Sequence, residues 1–180
     1  MAKVRFVLQF AASEIDGLAA WYLEQNQGED EEAFKAGSSI AGGDHNRQNL
    51  EKIFRWKTGG RGISRLSQNT DGEIADGLRL AIDATTERSA IAVLCGLNGV
   101  EVPVASAILT ATKPQRFTII DFRALESLGV SERRTYYSID YYLAYLRTCQ
   151  ELSNEYKTSL RTLDRALWQW SRKNSKRELR

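Results

Sequence analysis

Residues 91–123, IAVLCGLNGVEVPVASAILTATKPQRFTIIDFR, predict two apolar helices joined by a tight turn. The first helix covers 86–97 and breaks at Asn98-Gly99, a dipeptide that is typical of turns. The second helix begins at Pro103, because a proline in the first helical turn lacks an N–H that has no helical partner there anyway. The stretch therefore predicts a helical hairpin.

A short apolar connector and an aspartate follow this hairpin. Pro114 ends the second helix, residues 117–120 form the connector, and Asp121 begins another helix that ends at Gly129. By position alone Asp121 is typical of a helix N-cap, whose carboxylate accepts hydrogen bonds from free backbone N–H groups. The N–H groups at the start of the hairpin's second helix can hold one DNA phosphate without reading the base sequence.

The rest of the chain also has helical patterns, so the predicted fold class is all-α. Capping boxes at 13–16 and 70–73 indicate two helix starts. Charge and apolar spacing predict further helices over 29–37, 46–58, 139–149 and 160–170, with a loop at 37–43. Only residues 4–10 alternate as a strand does, and an extended arm is the other interpretation of that segment.

Three segments concentrate the charge. The acidic run 29–32 is typical of the first turn of a helix, where carboxylates meet the positive end of the helix dipole. The segments 52–70 and 155–180 carry an excess of Lys and Arg. Such an excess occurs in nucleic-acid interfaces and on solvated helix faces alike, and the sequence leaves both interpretations open.

The composition excludes several classes of protein. The 180 residues are 42% hydrophobic and 27% charged with a net charge of +2, which excludes a disordered or fibrous chain. The longest apolar run, 90–97, is far shorter than the roughly 18 residues of a membrane span, so we expect a soluble, cytoplasmic protein. Cys95 and Cys149 lie in apolar helical patterns as reduced core residues, and His45 is the only histidine. We expect no metal and no cofactor.

The hairpin and the aspartate after it resemble the helix-hairpin-helix DNA glycosylase superfamily, the HhH-GPD group. Members of this group share a Leu-Pro-Gly-Val-Gly-x-x-x-Ala pattern, a helix, an apolar connector and an essential aspartate. The matching residues here are Leu97, Gly99, Val100 and Ala105, and Asp121 stands where the aspartate is expected.

The resemblance implies a two-lobed helical fold. Residues 46–120 would form a helical barrel that carries the hairpin, and residues 1–45 plus 121–180 would form a second lobe packed against it. Duplex DNA with a damaged or modified base would lie across the cleft between the lobes, and we expect the protein to act as a monomer.

The resemblance also implies hydrolysis of the N-glycosidic bond of a base flipped out of the duplex. Asp121 would stabilise the positive charge that develops on the sugar and orient the attacking water. Pro103 stands where some members carry a lysine that gives lyase activity, so a monofunctional glycosylase is expected. Glu101 replaces the second hairpin glycine, and a carboxylate is unfavourable beside a phosphate.

Further candidates come from the hairpin and from the aromatic residues. The DNA-binding candidates are Gly99, Val100, Val102, Val104, Lys57 and Arg61. The aromatic candidates for a base pocket are Trp56, Tyr136, Tyr137 and Tyr141, for each of which a place in the core is the other interpretation.

Three alternatives remain open at this point. The excised base could be a hypermodified base of foreign DNA, which would make the protein a defence factor. The chain could bind DNA through the hairpin without catalysis. It could also be a helical interaction protein whose hairpin is only a tight turn, and such a protein would show no salt-dependent affinity for DNA.

Overall fold

The computed structural model describes residues 5–132 and 134–174, and this part of the chain contains nine α-helices and no strand. The prediction of an all-α fold is confirmed. The helices are α1 Ile15–Ala41, α2 Arg47–Thr58, α3 Ile63–Leu66, α4 Asp71–Asp83, α5 Glu87–Leu94, α6 Val102–Thr112, α7 Phe122–Ser127, α8 Ile139–Glu155 and α9 Leu160–Asn174.

Local capping signals mark several of these helices. The Asn46 side chain accepts a hydrogen bond from the Asn49 N–H at 2.8 Å and begins α2, as the sequence predicts. Thr70 and Glu73 form the predicted capping box of α4. Gly59 ends α2 in the left-handed conformation that favours glycine, with φ +63°.

The first helix differs from the prediction. The predicted short helix over 29–37 and the loop at 37–43 are wrong, because α1 continues without a break through Gly28 and Gly37. The acidic run 29–32 therefore lies in the middle of a 27-residue helix rather than in its first turn. The helix starts after a short 3-10 turn in which the Glu14 carboxylate accepts from the Ala11 N–H at 3.1 Å, so Ser13 is not its cap.

Close packing explains why Gly37 does not end the helix. Gly37 is buried where α1 packs against α6, and a Cβ added there would lie 2.2 Å from the carbonyl oxygen of Ala111. The missing side chain lets the two helix backbones approach closely. The packing energy of α1 against α2, α6 and α9 outweighs the roughly 1 kcal/mol that a glycine costs inside a helix.

The segment before α1 is an extended arm. The Val7 N–H donates to the Leu128 carbonyl at 2.9 Å, and the Gln9 N–H donates to the Ser127 carbonyl at 3.0 Å. These bonds attach the arm to the end of α7. Of the two interpretations of residues 4–10, the arm is confirmed for 5–10, and Met1 to Val4 lie outside the described residues.

The predicted helical hairpin is present as α5, a turn and α6. Gly99 has a φ of +82°, and a Cβ there would lie 2.9 Å from the backbone nitrogen of Leu66. The Asn69 side chain, between α3 and α4, holds the turn: its amide donates to the Asn98 carbonyl at 3.0 Å, and its oxygen accepts the Asn98 N–H at 2.8 Å.

The connector 117–120 is buried and tied to two helices by side-chain hydrogen bonds. The Ser106 hydroxyl on α6 donates to the Pro103 carbonyl at 2.8 Å and accepts the Ile120 N–H at 3.2 Å. On α8, the hydroxyl of Tyr142 donates to the Thr118 carbonyl at 3.0 Å, and that of Tyr145 donates to the Ile119 carbonyl at 2.7 Å. These bonds fix the backbone that carries the next residue, Asp121.

None of the described helices is both long and apolar enough to cross a membrane.

The contact at Gly37 predicts opposite effects for two Gly→Ala substitutions in α1. Gly37→Ala places a methyl group against the α6 backbone and should lower the free energy of unfolding by at least about 2 kcal/mol. Gly28→Ala is the matched control, because among the described residues its Cβ would meet open space, and it should raise that free energy by about 0.5–1 kcal/mol. Urea unfolding followed by circular dichroism measures both. Equal changes in the two variants would contradict the close approach of α1 and α6.

Candidate active site

Asp121 occupies the N-cap of α7, and both of its carboxylate oxygens accept hydrogen bonds. Oδ1 accepts from the Ala124 N–H at 2.9 Å, and Oδ2 accepts from the Lys57 amine at 3.1 Å. The side chains of Asp121 and Lys57 are 22% and 13% exposed. The N-cap role is therefore present, and the same carboxylate forms a partly buried ion pair with α2.

Asp121 lies in the wall of a cavity of about 210 Å³ between α1, α2, the connector and α9. The cavity is lined by polar and aromatic side chains together: Tyr22, Asn26, Glu29, Trp56, Lys57, Ile119, Asp121, Arg161, Asp164 and Trp168. Its walls thus combine flat rings with both hydrogen-bond donors and acceptors. This mixture is typical of sites that bind and orient a small polar group.

A buried ion network forms one side of the cavity. Arg161 of α9 donates to Asp30 of α1 and to Asp164 of its own helix, and all three are buried. Asp30 also accepts from the Arg165 guanidinium at 2.6 Å and from the Tyr22 hydroxyl at 3.1 Å. Buried charges are tolerated only when they are paired in this way.

Guanidinium groups also lie over the aromatic rings. The Arg161 guanidinium carbon is 5.5 Å from the ring centres of both Trp56 and Tyr22. The guanidinium carbons of Arg123 and Arg172 are 5.1 and 5.3 Å from the Trp168 ring. Cation–π attraction therefore adds to the ion pairs in fixing this wall.

The cavity contains a second aspartate, Asp164, whose pKa is raised. Burial raises the pKa of Asp164 to about 6, Arg161 opposes the rise, the negative charge of Asp121 adds to it, and Lys57 opposes it. Burial also raises the pKa of the Tyr22 phenol, which therefore stays protonated at neutral pH.

The predicted pocket residues lie at different distances from this cavity. Trp56 lines it together with Lys57 and Asp121. Tyr137 is buried and is not among the lining residues; burial raises the pKa of its phenol, and the charge of Asp121 adds to that rise. Tyr141 packs against Tyr137 with 6.0 Å between ring centres, and Tyr136 is 68% exposed.

The hairpin candidates present their backbone rather than their side chains. The side chains of Val100, Val102 and Val104 are buried in the core. Glu101 is the residue before α6 and has an ordinary φ of −98°, so it needs no glycine-like conformation. Its exposed carboxylate lies 3.9 Å from the Arg65 guanidinium, so the negative charge of Glu101 has a cation as its neighbour.

The basic segments divide into buried and exposed parts. Arg161 and Arg165 of the segment 155–180 pair with Asp30, so neither belongs to a solvated face. Arg61 of the segment 52–70 is exposed, and its guanidinium donates to the Thr58 carbonyl at 3.1 Å. Residues 175–180 lie outside the described residues.

The sequence-based predictions of site residues missed seven lining residues: Tyr22, Asn26, Glu29, Ile119, Arg161, Asp164 and Trp168. One signal was present in α9. Arg161 and Asp164, three residues apart, lie among the apolar positions Leu160, Leu163 and Leu167 of a strongly patterned helix. An acid and a base on the apolar face of a helix indicate a buried pair.

Other reactive side chains lie away from the cavity. Cys95 and Cys149 are free thiols, and burial raises the pKa of Cys95 to about 11. Among the described residues no group of three or more His, Cys, Asp and Glu side chains could hold a metal ion.

Comparison with known proteins gives no relative for this chain. No family model matches it, and neither does any curated protein or any solved structure. The function is therefore inferred from the residues and the geometry of the site.

The ion network predicts that replacement of Asp30 strongly lowers the free energy of unfolding. Asp30→Ala leaves the guanidinium groups of Arg161 and Arg165 without this shared partner, so the free energy of unfolding should fall by about 3–5 kcal/mol. Glu31→Ala removes the exposed neighbouring acid and should change it by no more than about 0.5 kcal/mol. Urea unfolding followed by tryptophan fluorescence compares the two. A small loss for Asp30→Ala would show that the network does not stabilise the α1–α9 packing.

Proposed function

We propose that the chain is a DNA glycosylase of the HhH-GPD kind, which hydrolyses the N-glycosidic bond of a damaged or modified base flipped out of duplex DNA. The proposal is carried by the place of Asp121. An oriented carboxylate lies in the wall of a polar and aromatic cavity, directly after a helical hairpin and a buried connector.

The chemistry needs an anion at the position of Asp121. Cleavage of the N-glycosidic bond develops positive charge on the sugar, and a carboxylate fixed beside it stabilises the transition state more than the ground state. The hydrogen bonds from Ala124 and Lys57 hold the Asp121 oxygens in place before the substrate arrives. The same carboxylate orients the attacking water and accepts its proton.

The hairpin supplies a site for the DNA backbone. Backbone N–H groups at the start of α6, with the helix dipole behind them, attract a phosphate without contacting the bases. Ser106 connects this end of the hairpin to the connector, because its hydroxyl bonds both the Pro103 carbonyl and the Ile120 N–H. A phosphate bound at the hairpin therefore has a fixed position relative to Asp121.

The cavity suits a flat polar ring. Its volume of about 210 Å³ is below the roughly 300–1,000 Å³ of pockets for drug-sized ligands, as expected for a single base. Trp56, Tyr22 and Trp168 supply rings, and Asn26 and Glu29 supply a donor and acceptors for the edge of a base.

Water is the proposed nucleophile. Pro103 offers no amine at the hairpin, and the Lys57 amine is engaged by the Asp121 carboxylate. We therefore propose a monofunctional enzyme that leaves an intact strand with an abasic site. We also propose that residues 46–120 form one lobe and residues 1–45 plus 121–180 form the other. A monomer binds the DNA in the cleft between these two lobes.

The substitution Asp121→Asn tests the proposal. Asparagine caps a helix as well as aspartate does, so α7 should remain folded while the negative charge is lost. Base release should fall by at least about 100-fold, and affinity for duplex DNA should be retained. The assay uses duplexes with alkylated, oxidised, deaminated or hypermodified bases and measures strand cleavage with and without alkali. Fluorescence anisotropy measures binding.

Asp140→Asn is the matched control, since Asp140 is an exposed acid in the first turn of α8 and pairs with Arg88 on the surface. This variant should release bases at the native rate. Salt-dependent DNA binding without base release from any duplex would favour the non-catalytic hairpin protein instead. Strand cleavage without alkali would indicate lyase activity and would contradict the proposal of a monofunctional enzyme.

A further inference from the structure

The proposed mechanism leaves one carboxyl group of the cavity unused. Asp164 of α9 lines the same cavity as Asp121, and its side chain is only 7% exposed. The Arg161 guanidinium donates a hydrogen bond to its Oδ2. The cavity therefore contains two aspartate carboxyl groups in different surroundings, besides the exposed Glu29.

The two carboxyl groups have different partners. Asp121 accepts hydrogen bonds from the Lys57 ammonium group and the Ala124 backbone N–H. Asp164 is buried, which disfavours its anion and raises its pKa to about 6. The charged and titratable groups around Asp164 come from five elements: Arg161 on α9, Asp121 at α7, Lys57 on α2, Tyr22 on α1, and Tyr142, Tyr145 and Cys149 on α8.

A neighbouring pair of this kind is suited to divided acid–base work. One carboxyl group is ionised and the other holds a proton that it can donate, as in hydrolases that cleave glycosidic bonds between two carboxyl groups. A neutral nucleobase is a poor leaving group because it departs as an anion unless it is protonated. A base that already carries a positive charge from alkylation departs as a neutral molecule and needs no acid.

We propose that Asp164 is the general acid that protonates the departing base, and that this site consequently acts on neutral modified bases rather than on cationic alkylated ones. The inference rests on the proposed glycosylase function and specifies its substrate class. Arg161 acts as a positioning residue, because its guanidinium donates to Oδ2 and so orients the Asp164 carboxyl group in the cavity wall.

The step balances without a further reactant. The bond between the sugar C1′ and the base nitrogen breaks, and its electron pair goes to the base, which takes the proton of Asp164. Water adds through its oxygen to C1′ and gives one proton to Asp121. The products are the free base and an abasic sugar. The proton on Asp121 returns through solvent to Asp164, which restores both carboxyl groups.

The pH dependence of the native protein tests this role. Single-turnover base release is measured from pH 5 to 8 on matched duplexes that contain hypoxanthine or uracil, which are neutral, or 7-methylguanine, which is cationic. Release of the neutral bases should fall about tenfold per pH unit above about 6, since Asp164 then loses its proton. Release of 7-methylguanine, where it occurs, should lack this decline.

The substitution Asp164→Asn should lower release of the neutral bases by at least about 100-fold and remove the decline above pH 6. It should change release of 7-methylguanine little where the native protein releases that base. Circular dichroism and affinity for the duplexes check that the variant remains folded. A role of Asp164 in stability alone would lower release of both kinds of base equally and leave the pH profile unchanged, which would overturn the inference.

The other outcomes separate the inference from the proposed function. Release of 7-methylguanine alone by the native protein would overturn the role of Asp164 and leave the glycosylase proposal standing. Release of neutral bases by Asp164→Asn at the native rate and with the native pH profile would also overturn the role of Asp164 and leave the glycosylase proposal standing. Failure of the native protein to release any base from these duplexes or from the wider panel would overturn both.

Discussion

The guanidinium of Arg161 is the group on which the arrangement of this protein depends. A buried cation without an anionic partner costs several kcal/mol, so Asp30 has to lie beside it, and Asp164 accepts a hydrogen bond from the same guanidinium. Asp30 belongs to α1, whereas Arg161 and Asp164 belong to α9. The contact of Arg161 with Asp30 therefore fixes how the two helices are positioned along each other. The rings of Trp56 and Tyr22 lie against the same group, which extends the constraint to α2.

The candidate site is held from two independent sides. The ion network fixes the wall that carries Asp164, whereas hydrogen bonds from Ser106, Tyr142 and Tyr145 fix the connector that leads to Asp121. The Lys57–Asp121 ion pair also ties α2 to the N-cap of α7. A site supported in this way is preorganised, because its polar groups are oriented by the folded chain before any ligand binds.

Much of the fold could be predicted from local signals. The caps at Asn46, Thr70 and Asp121 act over three residues, so the sequence around each contains the whole interaction. The uninterrupted α1 could not be predicted in this way, since Gly37 is explained by Ala111 on another helix.

The site follows the same division between local and distant contacts. Asp121, Lys57 and Trp56 were identified because they lie next to recognisable turns or motifs. Arg161 and Asp164 were missed because the partner that completes their network, Asp30, is far away in the sequence. The charges on the apolar face of α9 indicated burial, but the sequence contains no sign of where their partner lies.

The separation in sequence between Asp30 and Arg161 also affects how the chain folds while it is being synthesised. Arg161 is synthesised 131 residues after Asp30, which takes roughly 7–26 s at the usual rates of translation of about 5–20 residues per second. During that time α1 lacks its main packing partner, and Asp30 lacks both of its arginine partners. We expect a charge on that face to favour hydration and to disfavour wrong apolar contacts until α9 is synthesised.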